Sequence, residues 1–337
     1  MKPVPLSMHA VRFHAHGEPE VLQYDSVPRP VAGPGEVLAR IEAIGVNFAD
    51  TVRRRGGHYP VPSPLPFILG GEAVGEIVAV GPGCNPALIG TRSFVFPGVG
   101  CYAEYAAVPV ERLYPLPQGL DAPHSIGLFV QCLSAAMILR HAARMQPGET
   151  VLVQGAAGGV GVFAVQLAKA WGAGMVIGAA STEAKRALAM ELGADMAVDY
   201  GRPGWGEEVR TATGGRGVDI VLEMTGGRIA EESMALLAPF GRSVVYGSAS
   251  EQPWSVDPET LPPRNLSVTG FWFRQYLDRR EMLLDFLAEF GVLAAAGKLR
   301  VQVDRVLPLS RAAEAHHALE TRATSGKVVL VPDALYA

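Results

Sequence analysis

A glycine-rich segment in the middle of the chain constrains the fold more than any other feature. The segment runs Gln154-Gly155-Ala156-Ala157-Gly158-Gly159-Val160-Gly161, after a strand-like apolar run and before a helical stretch from Val160 to Trp171. In such a turn, glycine lets backbone N–H groups approach a pyrophosphate at the N-terminus of the helix. The context therefore predicts dinucleotide binding, and the alternative is a tight strand-to-helix turn packed with small residues. The first glycine of the usual triplet is Ala156 here.

The pattern of the chain changes near Pro147-Gly148. Upstream, residues 9–117 read as short β runs closed by turns, which is typical of a barrel or roll. Downstream, β runs such as Val218 to Leu222 alternate with helical stretches such as 229–237. That order predicts an open parallel sheet with helices on both faces. The fold class is therefore α/β, a doubly wound parallel sheet of the Rossmann type plus a β-rich domain, and the length of 337 residues fits two domains.

The C-terminal part departs from the alternation. Beyond Asn265 the sequence predicts a strand at 266–272, a helix at 280–290 and strands at 299–301 and 328–331. The last two strands lie far downstream, so we expect the tail to return to the first domain. The strand at 266–272 is expected at the edge of the Rossmann sheet, where pairing with a second subunit would form a homodimer.

Composition and charge exclude several classes of protein. The formal net charge of −4 offers no broad attraction for nucleic acid, and we expect the basic run Arg53-Arg54-Arg55 to be solvated. Charged residues such as Glu72 and Lys169 interrupt the apolar stretches, so no membrane span is expected. The first residues lack the features of a secretory signal, which predicts a cytoplasmic location. The three cysteines are scattered, without a C-x-x-C pair, and are interpreted as reduced thiols.

The end of the second predicted strand indicates which nucleotide binds. An acidic side chain there would bind a ribose 2′-hydroxyl and repel a 2′-phosphate. The strand instead ends at Ala180 and Ser181 and is followed by Lys185, a hydroxyl and an ammonium group that favour NADPH over NADH. The alternative is that Ser181 and Thr182 cap the next helix and leave Lys185 in solvent, and Glu183 argues against a phosphate.

Five motifs, in the same order along nearly the whole chain, resemble the medium-chain dehydrogenase/reductase superfamily, specifically its zinc-free quinone oxidoreductase branch, which includes the zeta-crystallin type. They are Gly45-Val46-Asn47-Phe48-Ala49-Asp50, Gly70-Gly71-Glu72-Ala73-Val74-Gly75, Ala156-Ala157-Gly158-Gly159-Val160-Gly161, Gly217-Val218-Asp219 and Arg322-Ala323-Thr324-Ser325-Gly326-Lys327. The chain departs from the pattern at Val52, where many members carry tyrosine.

The resemblance implies a GroES-like β-rich catalytic domain formed by residues 1–128 and completed by residues 268–337, and a Rossmann dinucleotide-binding domain formed by residues 129–267. It also implies an active-site cleft between them, with NADPH as cofactor, Asn47 near the nicotinamide ribose and Ser134 lining the cleft. The other NADPH contacts that it implies are Ala157, Gly158, Gly159 and Val160 for the pyrophosphate, Ser181, Lys185, Tyr200 and Arg322 for the 2′-phosphate, and Gly247, Ser248, Phe271 and Phe273 for the nicotinamide.

Zinc alcohol dehydrogenases, the other branch of this superfamily, hold a catalytic zinc with cysteine and histidine ligands. This chain has Asn47, Gly71 and Gln131 near the corresponding positions, so no metal site is expected. A hydride acceptor that is reduced without a metal must spread the incoming charge by conjugation. Quinones and α,β-unsaturated carbonyl compounds meet this requirement.

The sequence therefore predicts an NADPH-dependent reductase of quinones, in which Asn47 orients the ribose and Tyr59 or Ser134 donates a hydroxyl hydrogen bond. Tyr59 lies in a Gly-Gly-His-Tyr-Pro loop, where a surface aromatic residue is the alternative. No residue is assigned as a catalytic acid. The open alternatives for function are an enoyl or 2-alkenal reductase, a non-catalytic NADPH-binding protein and a zinc dehydrogenase.

Overall fold

A computed structural model of the chain describes residues 5–117 and 119–336. The chain divides into two compact units. The first unit comprises Met1–Val130 and Val301–Ala337, and the second comprises Gln131–Arg300. The first boundary lies close to the expected residue 128, whereas the return to the first unit comes at 301 and not at 268.

The N-terminal part of the first unit consists mostly of short strands. They are β1 (Ser7–Phe13), β2 (Gln23–Pro28), β3 (Glu36–Val46), β4 (Phe67–Ile68), β5 (Ala73–Val80), β6 (Arg92–Val95), β7 (Tyr105–Pro109) and β8 (Leu113–Pro115). The helices in this part of the chain are α1 (Phe48–Arg55), α2 (Ala122–Ser125) and α3 (Val130–Met137), of which α3 leads into the second unit. Strand β1 pairs with β2 and β4, and β3 is almost entirely buried because it pairs with β5 and β7.

The second unit alternates strands and helices. Its strands are β9 (Thr150–Gln154), β10 (Met175–Ala179), β11 (Met196–Val198), β12 (Val218–Glu223), β13 (Leu237–Val245) and β14 (Ser267–Gly270). Its further helices are α4 (Gly161–Ala170), α5 (Glu183–Glu191), α6 (Trp205–Ala212), α7 (Gly227–Ala235) and α8 (Arg280–Ala295). The strands form one parallel sheet in the order β11-β10-β9-β12-β13-β14, which is the Rossmann order 3-2-1-4-5-6. The predicted fold class is confirmed.

Burial accounts for the sequence pattern of this unit. Every residue of β12 is buried, and so are eight of the ten residues of α4. A parallel strand that is covered on both faces is rich in apolar residues, and in β12 these are Val218, Ile220, Val221 and Leu222. Strand β14 joins the sheet by pairing with β13, and the N–H of Phe271 donates to the carbonyl oxygen of Val245 at 2.8 Å. This pairing keeps the residues after 268 in the second unit.

The chain then returns to the first unit through β15 (Val303–Pro308), α9 (Ala312–Glu320) and β16 (Lys327–Val331). Strand β16 lies between β15 and β3, in a sheet of order β15-β16-β3-β5-β6-β8 in which β7 also pairs with β3. The predicted strand at 328–331 is confirmed. The predicted strand at 299–301 is wrong, since regular extended structure starts only at Val303.

The basic run Arg53-Arg54-Arg55 ends α1 and is not the solvated stretch that the sequence predicts. Arg53 is 5% exposed and Arg54 is fully buried. The Arg53 guanidinium lies over the Tyr59 ring, 4.8 Å from its centroid, and the Arg54 guanidinium is paired with Glu320. The prediction is wrong for Arg53 and Arg54 because α1 packs against α9, a contact that spacing in the sequence does not reveal.

The helical run Ala122–Ala142 is long and apolar enough, by length and composition, to cross a membrane. It has 21 residues and a mean hydropathy of 1.5 in its most apolar window. In the structure, 83% of that window is buried inside the protein. Core helices pass the same test of length and composition, so the run is weak support for a membrane span.

His316 of α9 is fully buried. Its ring Nε2 lies 3.0 Å from the Tyr102 hydroxyl oxygen, and its Nδ1 has no hydrogen-bond partner in the described part of the chain. Burial, together with the nearby Arg54 and Arg55, lowers the pKa of His316 to about 3. The ring is therefore neutral in the folded protein at acid pH values that protonate an unfolded histidine.

We predict that His316 weakens the protein at acid pH. Between pH 6.5 and about 3, the unfolded chain binds a proton at His316 that the folded chain does not bind, so the free energy of unfolding falls as the pH falls. The substitution His316→Gln removes this contribution. The unfolding free energy of the variant minus that of the wild type should rise by about 1.4 kcal/mol for each pH unit on going from roughly pH 6 to pH 4. Urea unfolding at a series of pH values measures this difference.

The matched control is His317→Gln, because His317 is the next residue on α9 and its side chain is exposed. It measures the effect of replacing a histidine at an exposed position of the same helix. A pH dependence for His316→Gln no larger than that for His317→Gln would contradict the assignment of a neutral buried ring.

Candidate functional site

The glycine-rich segment forms the turn between β9 and α4, as predicted. The N–H of Gly158 donates to the carbonyl oxygen of Gly155 at 2.7 Å. A Cβ atom at Gly161 would lie 2.1 Å from the same carbonyl oxygen, well inside contact distance. Position 161 therefore accepts glycine only, and this allows α4 to begin directly against the turn.

Backbone donors at this turn are open to an anion. In residues 5–117 and 119–336, the N–H groups of Gly159 and Val160 have no hydrogen-bond acceptor. Val160, the N-cap of α4, supplies no side-chain cap. Unpaired N–H groups and the positive end of a helix dipole suit a phosphate group. The turn, which also contains Ala157 and Gly158, thus fits the pyrophosphate of a dinucleotide.

Gln131 is a functional candidate that the sequence indicates only as the replacement of a zinc ligand. Its side chain lies against the turn, since a Cβ atom at Gly159 would be 2.1 Å from Gln131 Nε2. Gln131 is 8% exposed, and its Oε1 has no hydrogen-bond partner among the described residues. A buried carbonyl oxygen without a donor, beside open phosphate-binding N–H groups, marks a place where a ligand completes the hydrogen bonding.

Ser181 and Lys185 stand beyond the carboxyl end of β10, and Tyr200 follows β11. These two strands are parallel neighbours, so their carboxyl ends lie side by side. The Thr182 hydroxyl accepts from the Lys185 N–H at 3.3 Å, so the helix-capping alternative holds for Thr182. Ser181 stays exposed, and Glu183 occupies the first turn of α5, where the helix dipole stabilises a carboxylate.

The predicted nicotinamide neighbours follow the next strands of the sheet. Gly247 and Ser248 come after β13 and are exposed, Phe271 comes directly after β14, and Phe273 is 8% exposed. The carboxyl ends of parallel strands meet at one edge of the sheet, which is where ligands bind in such folds. Ser134 lies on α3 and is 5% exposed.

Asn47, Glu72 and Lys327 form a buried cluster in the first unit. Lys327 Nζ lies 2.6 Å from Glu72 Oε1 and 3.1 Å from Asn47 Oδ1, and Asn47 Nδ2 donates to Glu72 Oε1 at 2.8 Å. The side chains of Glu72 and Lys327 are both fully buried. Glu72 Oε2 accepts from the N–H of Val130 at 3.0 Å. The ion pair thus holds the Asn47 amide at both its oxygen and its nitrogen.

The backbone makes room for this cluster at Gly45. A Cβ atom there would lie 2.4 Å from Glu72 Oε1 and 2.8 Å from Lys327 Nζ. The carboxylate of Asp50 accepts from the Asn47 N–H at 2.9 Å, and burial raises the pKa of Asp50 to about 6. Three residues of the motif that begins at Gly45 therefore serve one buried polar arrangement.

Two further predicted site residues belong to the first unit. Tyr59 packs its ring against the Arg53 guanidinium, so the loop that carries it is tied to α1. Arg322 is exposed in the turn between α9 and β16, and its φ angle of +56° is one that arginine adopts only in a tight turn.

The positions of the missing zinc ligands hold no metal-binding group in this structure. Within the described ranges, no three His, Cys, Asp or Glu side chains converge as ligands would. Gly71 has no side chain, and the Asn47 amide is taken up by Glu72 and Lys327. The Lys327 ammonium already neutralises the Glu72 carboxylate, so this carboxylate is not available as an anionic ligand for a metal ion. The residues of this cluster do not fit a bound metal ion.

Two family models match the chain. The alcohol dehydrogenase GroES-like domain matches residues 33–118, within the first unit. The zinc-binding dehydrogenase domain matches residues 159–289, within the second unit.

Similar proteins cover nearly the whole chain. A quinone oxidoreductase of Pseudomonas aeruginosa is 36% identical over 324 residues, which are 96% of this chain and 99% of that protein. A 2-haloacrylate reductase of Burkholderia sp. is 34% identical over 335 residues, again 96% of this chain and 99% of that protein. The solved structure of Escherichia coli quinone oxidoreductase complexed with NADPH has a TM-score of 0.89 at 34% identity, covering 96% of this chain and 100% of that chain.

The ion pair in the first unit gives a stability prediction. The substitution Lys327→Met leaves the Glu72 charge buried without its partner, which typically lowers the free energy of unfolding by about 3–5 kcal/mol. We expect the melting temperature to fall by roughly 10 °C. Differential scanning calorimetry measures the shift.

The double variant Lys327→Met/Glu72→Gln carries no unpaired charge and should recover most of the lost melting temperature. Lys298→Met, at an exposed lysine, serves as the control for the substitution itself. A double variant that melts as low as Lys327→Met would show that packing around the lysine stem, and not charge compensation, stabilises the cluster.

Proposed function

This chain belongs to the quinone oxidoreductases of the medium-chain dehydrogenase/reductase superfamily, and on that premise we propose that it reduces quinones with NADPH. The observation that carries the proposal is the open phosphate turn before α4, where the N–H groups of Gly159 and Val160 have no acceptor in the part of the chain that the structure describes. The second strand, β10, is followed by Ala180 and Ser181, with Lys185 in the first turns of α5, and no carboxylate stands directly at its end, which supports NADPH. The similar structure from Escherichia coli contains NADPH.

The chain's own residues bind and orient the cofactor. Bound NADPH supplies the hydride, and the quinone takes up this hydride and one proton to become the hydroquinone. The protein aligns the acceptor with the cofactor and excludes water. The proposed contacts are Ala157, Gly158, Gly159 and Val160 for the pyrophosphate, Ser181, Lys185, Tyr200 and Arg322 for the 2′-phosphate, Gly247, Ser248, Phe271 and Phe273 for the nicotinamide, and Asn47 for its ribose.

The chemistry around Asn47 selects the class of acceptor. Reduction of a simple ketone needs a Lewis acid or a proton donor to stabilise the alkoxide. Asn47 and Gly71 supply neither thiolate nor imidazole. A quinone instead spreads the charge over its ring to an oxygen that a hydroxyl group or water can bind. We therefore assign electron-poor conjugated acceptors to this chain, with the hydroxyl groups of Tyr59 and Ser134 as the proposed donors.

The similarity to a 2-haloacrylate reductase favours a second candidate function, the reduction of α,β-unsaturated carbonyl compounds. That reaction uses the same cofactor turn and the same hydride transfer to a conjugated acceptor. The two functions differ only in the shape and charge of the space that receives the acceptor.

We also propose that the protein is a cytoplasmic homodimer. Strand β14 is the last strand of the six-stranded sheet, and Val268 on it is 36% exposed. Pairing of β14 with its copy in a second subunit would continue the sheet across a two-fold axis and cover the open backbone groups of the edge.

The proposed function predicts that the purified protein oxidises NADPH in the presence of 1,4-benzoquinone. The loss of NADPH absorbance is followed in parallel with a 2-alkenal and an enoyl thioester, and without acceptor as the baseline. Turnover of an enoyl compound with inert quinone would favour the second candidate. Tight NADPH binding without turnover on any acceptor would indicate a non-catalytic protein.

The nucleotide preference gives a separate prediction. Lys185→Ala and Arg322→Ala each remove a proposed charged contact to the 2′-phosphate, so each should weaken NADPH binding about tenfold and leave NADH binding nearly unchanged. Fluorescence titration of the two cofactors measures both constants. Lys298→Ala, at an exposed lysine outside the proposed site, is the control, and equal losses for the two cofactors would remove Lys185 and Arg322 from the phosphate site.

A further inference from the structure

A cavity of about 690 Å³ opens in the second unit at the carboxyl ends of β13 and β14. Its walls come from the loop after β14 and from the helical turn that follows α3, which contributes His141. Three aromatic rings line it, those of Phe271, Trp272 and Tyr276. Small-molecule sites commonly have volumes of roughly 300–1,000 Å³, so this cavity has the size of a ligand site.

The position of the cavity in the sheet points to the acceptor side of the reaction. In a sheet of order 3-2-1-4-5-6, a dinucleotide lies across the carboxyl ends of the strands, with its two halves on opposite sides of the first strand. The proposed 2′-phosphate contacts follow β10 and β11, so the nicotinamide half belongs to the side of β12, β13 and β14. This step rests on the proposed function.

Arg279 brings a positive charge to the cavity, and it has no carboxylate partner among residues 5–117 and 119–336. Its side chain is exposed, and the central carbon of its guanidinium lies 5.9 Å from the centroid of the Tyr276 ring. Arg140, which precedes the cavity residue His141, is already paired with a carboxylate, because both of its terminal nitrogens donate to Glu289, at 2.6 and 2.8 Å. The residues that line the cavity include no aspartate or glutamate. Arg279 is therefore open to an anionic ligand group.

The other walls suit a planar ligand. The rings of Phe271 and Tyr276 lie 5.3 Å apart with an angle of 31° between their planes. The His141 ring is 6.5 Å from that of Tyr276. Burial and the nearby Arg279 hold the pKa of His141 below its usual value, so its ring acts as a neutral hydrogen-bonding group near neutral pH. Gln275 adds an amide at the same wall.

We propose that this cavity receives an anionic substituent of the acceptor, so that the enzyme prefers planar conjugated acceptors that carry a carboxylate or sulfonate group. Arg279 is then a specificity-determining residue, since a guanidinium binds such a group through two parallel N–H donors. Phe271 and Tyr276 cover the conjugated ring of the same acceptor. A neutral acceptor makes the ring contacts only.

The test compares 1,4-naphthoquinone-6-carboxylate with its methyl ester, two acceptors that share one quinone and differ in charge. With the wild type, kcat/KM for the acid should exceed that for the ester by about tenfold. The substitution Arg279→Gln should remove this preference by raising KM for the acid and should leave the ester within about twofold, while Arg279→Lys should restore part of it. Arg210→Gln, at a partly exposed arginine on α6 that pairs with Glu207, controls for the loss of one positive charge and should change neither acceptor.

Equal effects of Arg279→Gln on acid and ester, or a wild type without preference for the acid, would overturn the proposal. A binding measurement keeps the result independent of turnover. Calorimetric titration with naphthalene-2-carboxylate in the presence of NADP⁺ should show binding to the wild type and to Arg210→Gln, and about tenfold weaker binding to Arg279→Gln. If the wild type reduces neither quinone, the proposed function fails, and the titration still decides whether the cavity binds an anion. Equal binding by all three proteins would remove Arg279 from that role.

Discussion

A buried ion pair stabilises the first unit around Asn47. Lys327 and Glu72 are fully buried, with 2.6 Å between Nζ and Oε1, and 255 positions separate them in the chain. Either charge alone would be strongly destabilising in this interior, so the two must be buried together. Lys327 opens β16, Glu72 directly precedes β5, and Asn47 directly follows β3, the strand that pairs with both. The pair therefore fixes three strand ends, and with them the orientation of the Asn47 amide, before any ligand binds.

In the second unit, steric space and not charge determines which residues fit the turn before α4. The carbonyl oxygen of Gly155 leaves no room for a side chain at Gly161, and in the same turn the N–H groups of Gly159 and Val160 have no acceptor among the described residues. Gln131 adds a buried oxygen without a donor beside the same turn. Backbone groups are thus the proposed phosphate site, while side chains farther along the sheet edge, Arg279 among them, are proposed to distinguish one acceptor from another.

The sequence predicts those parts of the structure that depend on local pattern. The alternation of strands and helices in the second unit and the turn before α4 follow from apolar periodicity and from glycine, which are properties of short segments. The burial of Arg53 and the role of Lys327 do not follow, because a charged residue is read as exposed unless its distant partner is known. The pattern at 266–272 does predict an edge strand of the Rossmann sheet, and β14 takes that place by pairing with β13. Gln131 could be found in the sequence as a departure from the zinc pattern, but its contact with the turn required coordinates.

The place of β16 has a consequence for synthesis of the protein. This strand lies between β15 and β3 in the sheet of the first unit, yet it is the last strand that the structure describes. The second unit is continuous in the chain and leaves the ribosome complete while β3 still lacks this neighbour. The nascent polypeptide must therefore close the unit that begins first only after the other has emerged, and until then the end of β3 that pairs with β16 is an open strand edge.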